Sequence, residues 1–208
     1  MPEDFCYLTE GFFDVISLTQ KGINNCLASL GTSLSKQQIS LLKKLKKKVI
    51  LFLDGDSAGR QATIKIALSL LAHDFECEII NHSLSLDPDE ICQQKQGELT
   101  QVLQKKEDPY IFILQHFAQI WEVRENPQSV QSFIRKIAEL FKNFPRKVQE
   151  FLIKKISSLT SWSQTEVKEA YFALQKKIVD ETGHDLTETS AEKKEKYLLA
   201  YCYRNRRC

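Results

Sequence analysis

An α/β domain on a mainly parallel sheet, followed by an all-helical segment, is the fold that the 208-residue sequence predicts. Three observations carry that expectation. Short apolar runs alternate with amphipathic stretches through the first half, the pattern of a parallel sheet flanked by helices. One of those runs, Val49–Leu53, is apolar without a break, as a strand buried on both faces must be. Beyond Lys106 the apolar residues switch to three-and-four spacing and keep it.

Phe5–Thr9 reads as the first strand, and a helix from Phe12 to Lys21 follows until Gly22 stops it. A second strand, Cys26–Ser29, passes through Gly31-Thr32-Ser33 into a helix over Ser35–Lys46. After the third strand, Val49–Leu53, the next helix spans Ser57–Ala72 and turns Ile64, Ile66, Ala67, Leu70 and Leu71 to one side. Glu76–Asn81 supplies the fourth strand. Helices are then expected over Asp108–Ile120, Val130–Lys142, Pro145–Leu159 and Ser163–Val179, punctuated at Asn126-Pro127 and Asn143-Phe144-Pro145. The polar stretch 180–196 reads as a linker, and "YLLAYCYRNRRC" as a last amphipathic segment. The expected organisation is an α/β domain over 1–106, a helical subdomain over 107–180, and a linker with a partial C-terminal helix over 181–208.

Composition narrows the class. Hydrophobic residues make up 42% and charged residues 27%, ordinary values for a globular protein with a real core. The longest clean apolar runs, Val49–Leu53 and Tyr110–Leu114, have five residues, against the roughly 20 that a membrane span needs. No basic flank and apolar core follow the opening "MPEDFCYL", so a cytoplasmic protein without a membrane partner is expected. Cys6, Cys26, Cys77, Cys92, Cys202 and Cys208 are scattered with no C-x-x-C pair, which argues against zinc and for small buried thiols. The four histidines are equally dispersed, and no chemistry is assigned to them. Residues 1–107 hold 12 basic and 14 acidic side chains, residues 108–208 hold 17 and 13, so the charge is a weak pointer to nucleic acid.

Within the first half the acidic residues gather at strand ends. Glu10 closes the first strand, with Gly11 after it; Asp54 and Asp56, in "LFLDGDSAGR", close the third; Asp87 and Asp89, in "LDPDE", follow the fourth. Ligands of open parallel sheets bind in the crevice beyond the carboxyl ends of the strands. Three segments would therefore aim carboxylates into one crevice, where Gly55 and Gly59 permit close backbone approach and Pro88 stiffens the last pair. Carboxylates so placed repel one another and raise each other's pKa. Arg60 and a few lysines are too few to pair them all. Mg²⁺ or Mn²⁺ takes carboxylate and water oxygens and leaves room for phosphate, and two such ions about 4 Å apart serve phosphoryl transfer. Asp56 has a plainer use as the cap of the helix starting at Ser57. Arg60 fits a phosphate or a carboxylate equally well. Lys43, Lys44, Lys46, Lys47 and Lys48 complement a helix C-terminus, and Trp121 and Trp162 read as core.

The segments "EGFFDVISLTQKGI" (10–23), "ASLGTSLS" (28–35), "LDGDSAGRQA" (53–62) and "DPDE" (87–90) together resemble the Toprim domain of bacterial DnaG-type DNA primases, in order and in approximate spacing. The helices from "DPYIFILQHFAQ" onward resemble the helical subdomain that completes the primase polymerase core. The resemblance implies a Toprim-type sheet, with Glu10, Asp54 and Asp56 as the catalytic, metal-site carboxylates and Asp14, Asp87 and Asp89 as further acidic residues of that site. Gly55 and Arg60 would lie against the bound nucleotide. It implies synthesis of short RNA primers from ribonucleoside triphosphates on a single-stranded DNA template, with one to three Mg²⁺ or Mn²⁺ ions and no zinc in this chain. A ribose 3′-hydroxyl would attack the α-phosphate, and pyrophosphate would leave. The implied partners are the replicative helicase and a separate primase part, since family primases carry a zinc module and a basic subdomain ahead of the Toprim part. The family's third motif reads Gly-x-Asp-Pro-Asp, whereas Ser85 stands at the glycine position here. The tail resembles the opening of the primase helicase-interaction region. A primase-related module that only binds nucleic acid or replication partners, and a Toprim nuclease, are the alternatives.

Overall fold

The computed structural model describes residues 4–45, 48–82, 84–94, 98–123 and 126–182. Lys46 and Lys47, most of the expected linker, the amphipathic tail, Cys202 and Cys208 lie outside the described residues. Among the described residues no helix is long and apolar enough to cross a membrane. The chain divides into two compact units, one running to Pro109 and the other starting at Tyr110; the sequence places the division after residue 106.

The first unit holds a five-stranded sheet in the order β2-β1-β3-β4-β5. Its strands are β1 (Phe5–Thr9), β2 (Cys26–Ala28), β3 (Lys48–Leu51), β4 (Glu76–Ile80) and β5 (Lys106–Glu107). The first four run parallel, and β5 closes the β4 edge antiparallel. Between them lie α1 (Phe12–Gln20), α2 (Lys36–Leu45), α3 (Ser57–Ala72), α4 (Pro88–Gln93) and α5 (Glu98–Leu103). Central strands buried on both faces explain the unbroken apolar runs. Tyr7, Ile50, Phe52 and Ile80 form one core cluster with Leu18 of α1 and Ile91 and Cys92 of α4. Their neighbours Cys6, Leu8, Val49 and Leu51 are buried as well, and alternation turns them to the opposite face. The right-handed crossover rule puts α2 and α3 on that face. Cys6, Cys26, Cys77 and Cys92 are buried free thiols, and burial pushes Cys26 up to about 12 and Cys92 to about 11.

In the second unit α6 (Pro109–Ile120), α7 (Pro127–Leu140), α8 (Arg146–Leu159) and α9 (Gln164–Thr182) follow the predicted three-and-four stripes. Phe133, Ile134, Ile137, Leu152, Ile156, Val167 and Tyr171 are its buried centre. Helix α7 starts three residues before the expected Val130, because Asn126 caps it: its side chain accepts the Ser129 N–H at 2.7 Å, and Pro127 occupies the first turn. Helix α9 extends to Thr182, into the start of the expected linker. Trp121 lies 5.5 Å from the Phe117 ring, and both tryptophans are half-buried rather than central. The turn between α7 and α8 rests on Gln149, which is buried and points its Nε2 at the carbonyls of Phe141, Lys142 and Phe144 at 3.4, 3.3 and 2.9 Å. Gln149→Ala leaves those carbonyls without this donor, an expected loss of about 1–3 kcal/mol. Urea unfolding of the variant measures it, and an unchanged midpoint would refute the role.

Candidate metal centre

Strand order makes the crevice. The chain leaves β1 for β2 on one side and leaves β3 for β4 on the other, so the carboxyl ends of the adjacent β1 and β3 form a topological switch point. Glu10 follows β1 directly, and Asp54 stands three residues beyond β3. The loop after β4 delivers Asp87 beside them.

Two glycines press this loop region together. A Cβ on Gly55 would sit 1.7 Å from the Leu84 carbonyl oxygen, and one on Gly59 would sit 2.3 Å from that of Asp54. The Gly55 N–H donates to Leu86 O at 3.2 Å, binding the two loops. Arg60 adds a strap: its Nε donates to Gly55 O at 3.3 Å and its guanidinium to His82 O at 3.2 Å. The arginine thus engages main-chain carbonyls in the structure, not the carboxylates.

Each acidic residue then has a distinct environment. Asp56 is the N-cap of α3, accepting the Gly59 N–H on Oδ1 at 2.7 Å. Asp87 is the N-cap of α4 in a reciprocal box with Glu90, at 2.7 and 3.0 Å. Asp14, only 5% exposed, accepts Gly11 N–H on Oδ2 at 2.8 Å and Asp89 N–H on Oδ1 at 3.2 Å. It joins the start of α1 to α4. The Ser17 hydroxyl donates to Asp89 Oδ1 and doubles that joint. Burial raises the Asp14 pKa despite the two N–H donors, and the charges of Asp87 and Asp89 add to it.

Asp54 is pushed up to about 6, first by burial and then by the charges of Glu10, Asp14, Asp87 and Asp56. The structure therefore brings carboxylates from three distant segments into one another's field, as the strand-end pattern anticipates. The side chains of Glu10 and Asp54 make no hydrogen bond or ion pair with another described residue. Among the described residues no three His, Cys, Asp or Glu side chains stand close enough to form a closed metal cage. The donor set still has the chemistry for a hard cation: oxygen ligands only, and an uncompensated negative charge at Asp54.

Sequence reasoning missed His82. Its buried ring stands edge-on to Phe52 at 5.6 Å, with Nε2 3.0 Å from Leu53 O, and burial lowers its pKa. It supports the segment that ends in Asp54. No local signal marks it, since its partners lie 29 residues away. Ser17 was missed too, because its partner Asp89 is 72 residues on.

Residues 7–92 match a family described as Toprim-like. The DNA primase of Clostridium acetobutylicum is 32% identical over 167 residues, which cover 76% of this chain and 26% of that protein. A DNA primase domain from Pseudomonas aeruginosa shares the fold with a TM-score of 0.65 at 22% identity, over 82% of this chain and 55% of that one. A DnaG primase catalytic domain bound to single-stranded DNA gives 0.63 at 24%, over 79% and 53%. The fold and its acidic crevice define a Toprim-like domain. The chain that carries it is similar to bacterial DNA primases, and it spans 26–28% of the length of three curated primases that it matches.

Proposed function

We propose that this chain carries the cation-dependent nucleotidyl-transfer site of a primase, which joins ribonucleotides into short RNA primers on a single-stranded DNA template. The observation that carries the reading is Asp54, a carboxylate raised to about 6 by burial and four acidic neighbours and with no basic partner among the described residues. Glu10 and Asp54 would be the principal ligands of Mg²⁺ or Mn²⁺. Asp56 and Asp87 each give Oδ1 to a helix cap and keep Oδ2, and Asp89 keeps the oxygen that Ser17 does not use. Asp14 has both oxygens engaged and acts as the brace of the site. The bound cation would supply electrostatic stabilisation of phosphate charge. Gly55 lets the carboxylate loops meet, and Arg60 holds them in register by its two carbonyl bonds. The domain division at 106 and 180, the helicase and a separate primase part belong to the same proposal.

Titration calorimetry with Mn²⁺ and a ribonucleoside triphosphate tests it. Heat is expected from the wild type and not from Asp54→Asn; equal heats would overturn the reading. Primer synthesis with and without an added zinc-and-basic-subdomain polypeptide then separates a catalyst from a binding module.

A further inference from the structure

The start of α1 exposes two consecutive aromatic side chains that the site above does not use. Phe12 is 65% and Phe13 76% exposed, and Ile16, one turn on, is 50% exposed. Leaving such side chains in water forgoes the stabilisation that burying them would give. The helix itself does not call for them either, since a first turn is better served by small polar or acidic residues. Their position is specific. Phe13 is in the same helical row as Ser17, the residue that holds Asp89, so its row borders the carboxylates. Phe12 and Ile16 form the next row outward. A second segment converges on the same corner: Leu30 has φ 58° and is 58% exposed, with its N–H donating to Glu10 O at 3.0 Å. A leucine held in left-handed backbone is strained, and here that strained, exposed leucine is tied to the backbone at Glu10.

We propose that Phe12 and Phe13 are a stacking platform for successive bases of a single DNA strand whose phosphate is held at the acidic crevice. The proposal rests on the cation-dependent reading above. Continuity with the carboxylates selects this occupant. A single strand offers flat apolar faces to the rings and phosphates to a cation-loaded crevice, so one ligand engages both features. A basic protein surface docked there instead would leave the chain with no preference between a strand with bases and one without. The apolar strip runs from Phe13 past Phe12 to Ile16, longer than one base, which favours a strand over a lone nucleotide.

Fluorescence anisotropy of the full chain in Mn²⁺ tests this, using an oligothymidylate and an abasic strand of the same length. The wild type is expected to bind the oligothymidylate about tenfold more tightly. The double variant Phe12→Ala, Phe13→Ala should bring the ratio within about twofold with an unchanged circular dichroism spectrum, and Phe13→Trp should preserve the preference. A wild-type ratio near one, or a ratio that the double variant does not move, overturns the proposal. So does a wild-type dimer that the double variant dissociates, because the rings would then belong to a self-interface. Asp54→Asn should weaken both strands alike. A tenfold ratio with no Mn²⁺ dependence would overturn the phosphate-at-the-crevice half of the proposal together with the cation reading, while a lost ratio with Mn²⁺ dependence intact would overturn the stacking half alone.

Discussion

Asp54→Asn is expected to stabilise the cation-free protein at pH 7.5 while abolishing any stabilisation by Mn²⁺. The two effects have one cause. The Asp54 carboxyl has a folded-state pKa of about 6 against an ordinary 3.8. Below pH 3.8 it is protonated in the folded and unfolded chains alike, and its penalty is absent. Between there and pH 6 the unfolded chain releases the proton that the folded chain keeps, so folding stability falls as pH rises. Above pH 6 the penalty stays at its full value. The whole gap corresponds to roughly 3 kcal/mol, and partial solvent access reduces it to about 1–2 kcal/mol. Thermal melts of the variant should therefore run roughly 5 °C or more above wild type at pH 7.5 and converge on it near pH 4. Mn²⁺ should raise the wild-type melting temperature and leave that of the Asp54→Asn protein unmoved. A variant that melts below wild type at pH 7.5 would show that Asp54 is not held under repulsion, and one that still responds to Mn²⁺ would show that it is not a ligand.

The second large effect is steric. Gly55→Ala places a Cβ 1.7 Å from Leu84 O, 2.9 Å from Leu84 C and 2.7 Å from His82 Cε1. Two of those atoms are backbone and cannot rotate away. The loops after β3 and β4 must separate, at an expected cost of about 3 kcal/mol or more. Gly11→Ala is the control, since its Cβ would meet only Asp14 Oδ2 at an ordinary 3.4 Å. Urea unfolding measures both, and equal midpoints for the two variants would refute the contact. As the loops part, Asp54 moves away from Asp87, so the Gly55→Ala protein should also lose part of the stability decline between about pH 4 and 6.

Much of this architecture is legible in the sequence. β1 and α3 fall on the residues that periodicity and caps assign them. The strand-end acids come together because a parallel sheet sends every strand's carboxyl end to the same side. Asp56 takes the capping role that the sequence offered it, using Oδ1, and its other oxygen stays available for the ligand role proposed above. Other features escape for physical reasons. A two-residue strand such as β5 has no period to detect. Helix α4 is only six residues long, although its Asp-Pro-x-Glu start is a capping box that reading "DPDE" as ligands overlooks. The contacts of Arg60 with His82 O and of Asp14 with Asp89 N–H join residues 22 and 75 apart, and nothing local encodes such distant pairs.

The capping roles of Asp56 and Asp87 have a consequence for descent if they also serve the proposed site. A copy of this domain that had lost its chemistry would still need both residues to begin its helices, so their survival says nothing about activity. The side chains of Glu10 and Asp54 make no hydrogen bond or ion pair among the described residues, so folding alone does not call for them, and under the proposed function drift would erase them first once the chemistry was lost.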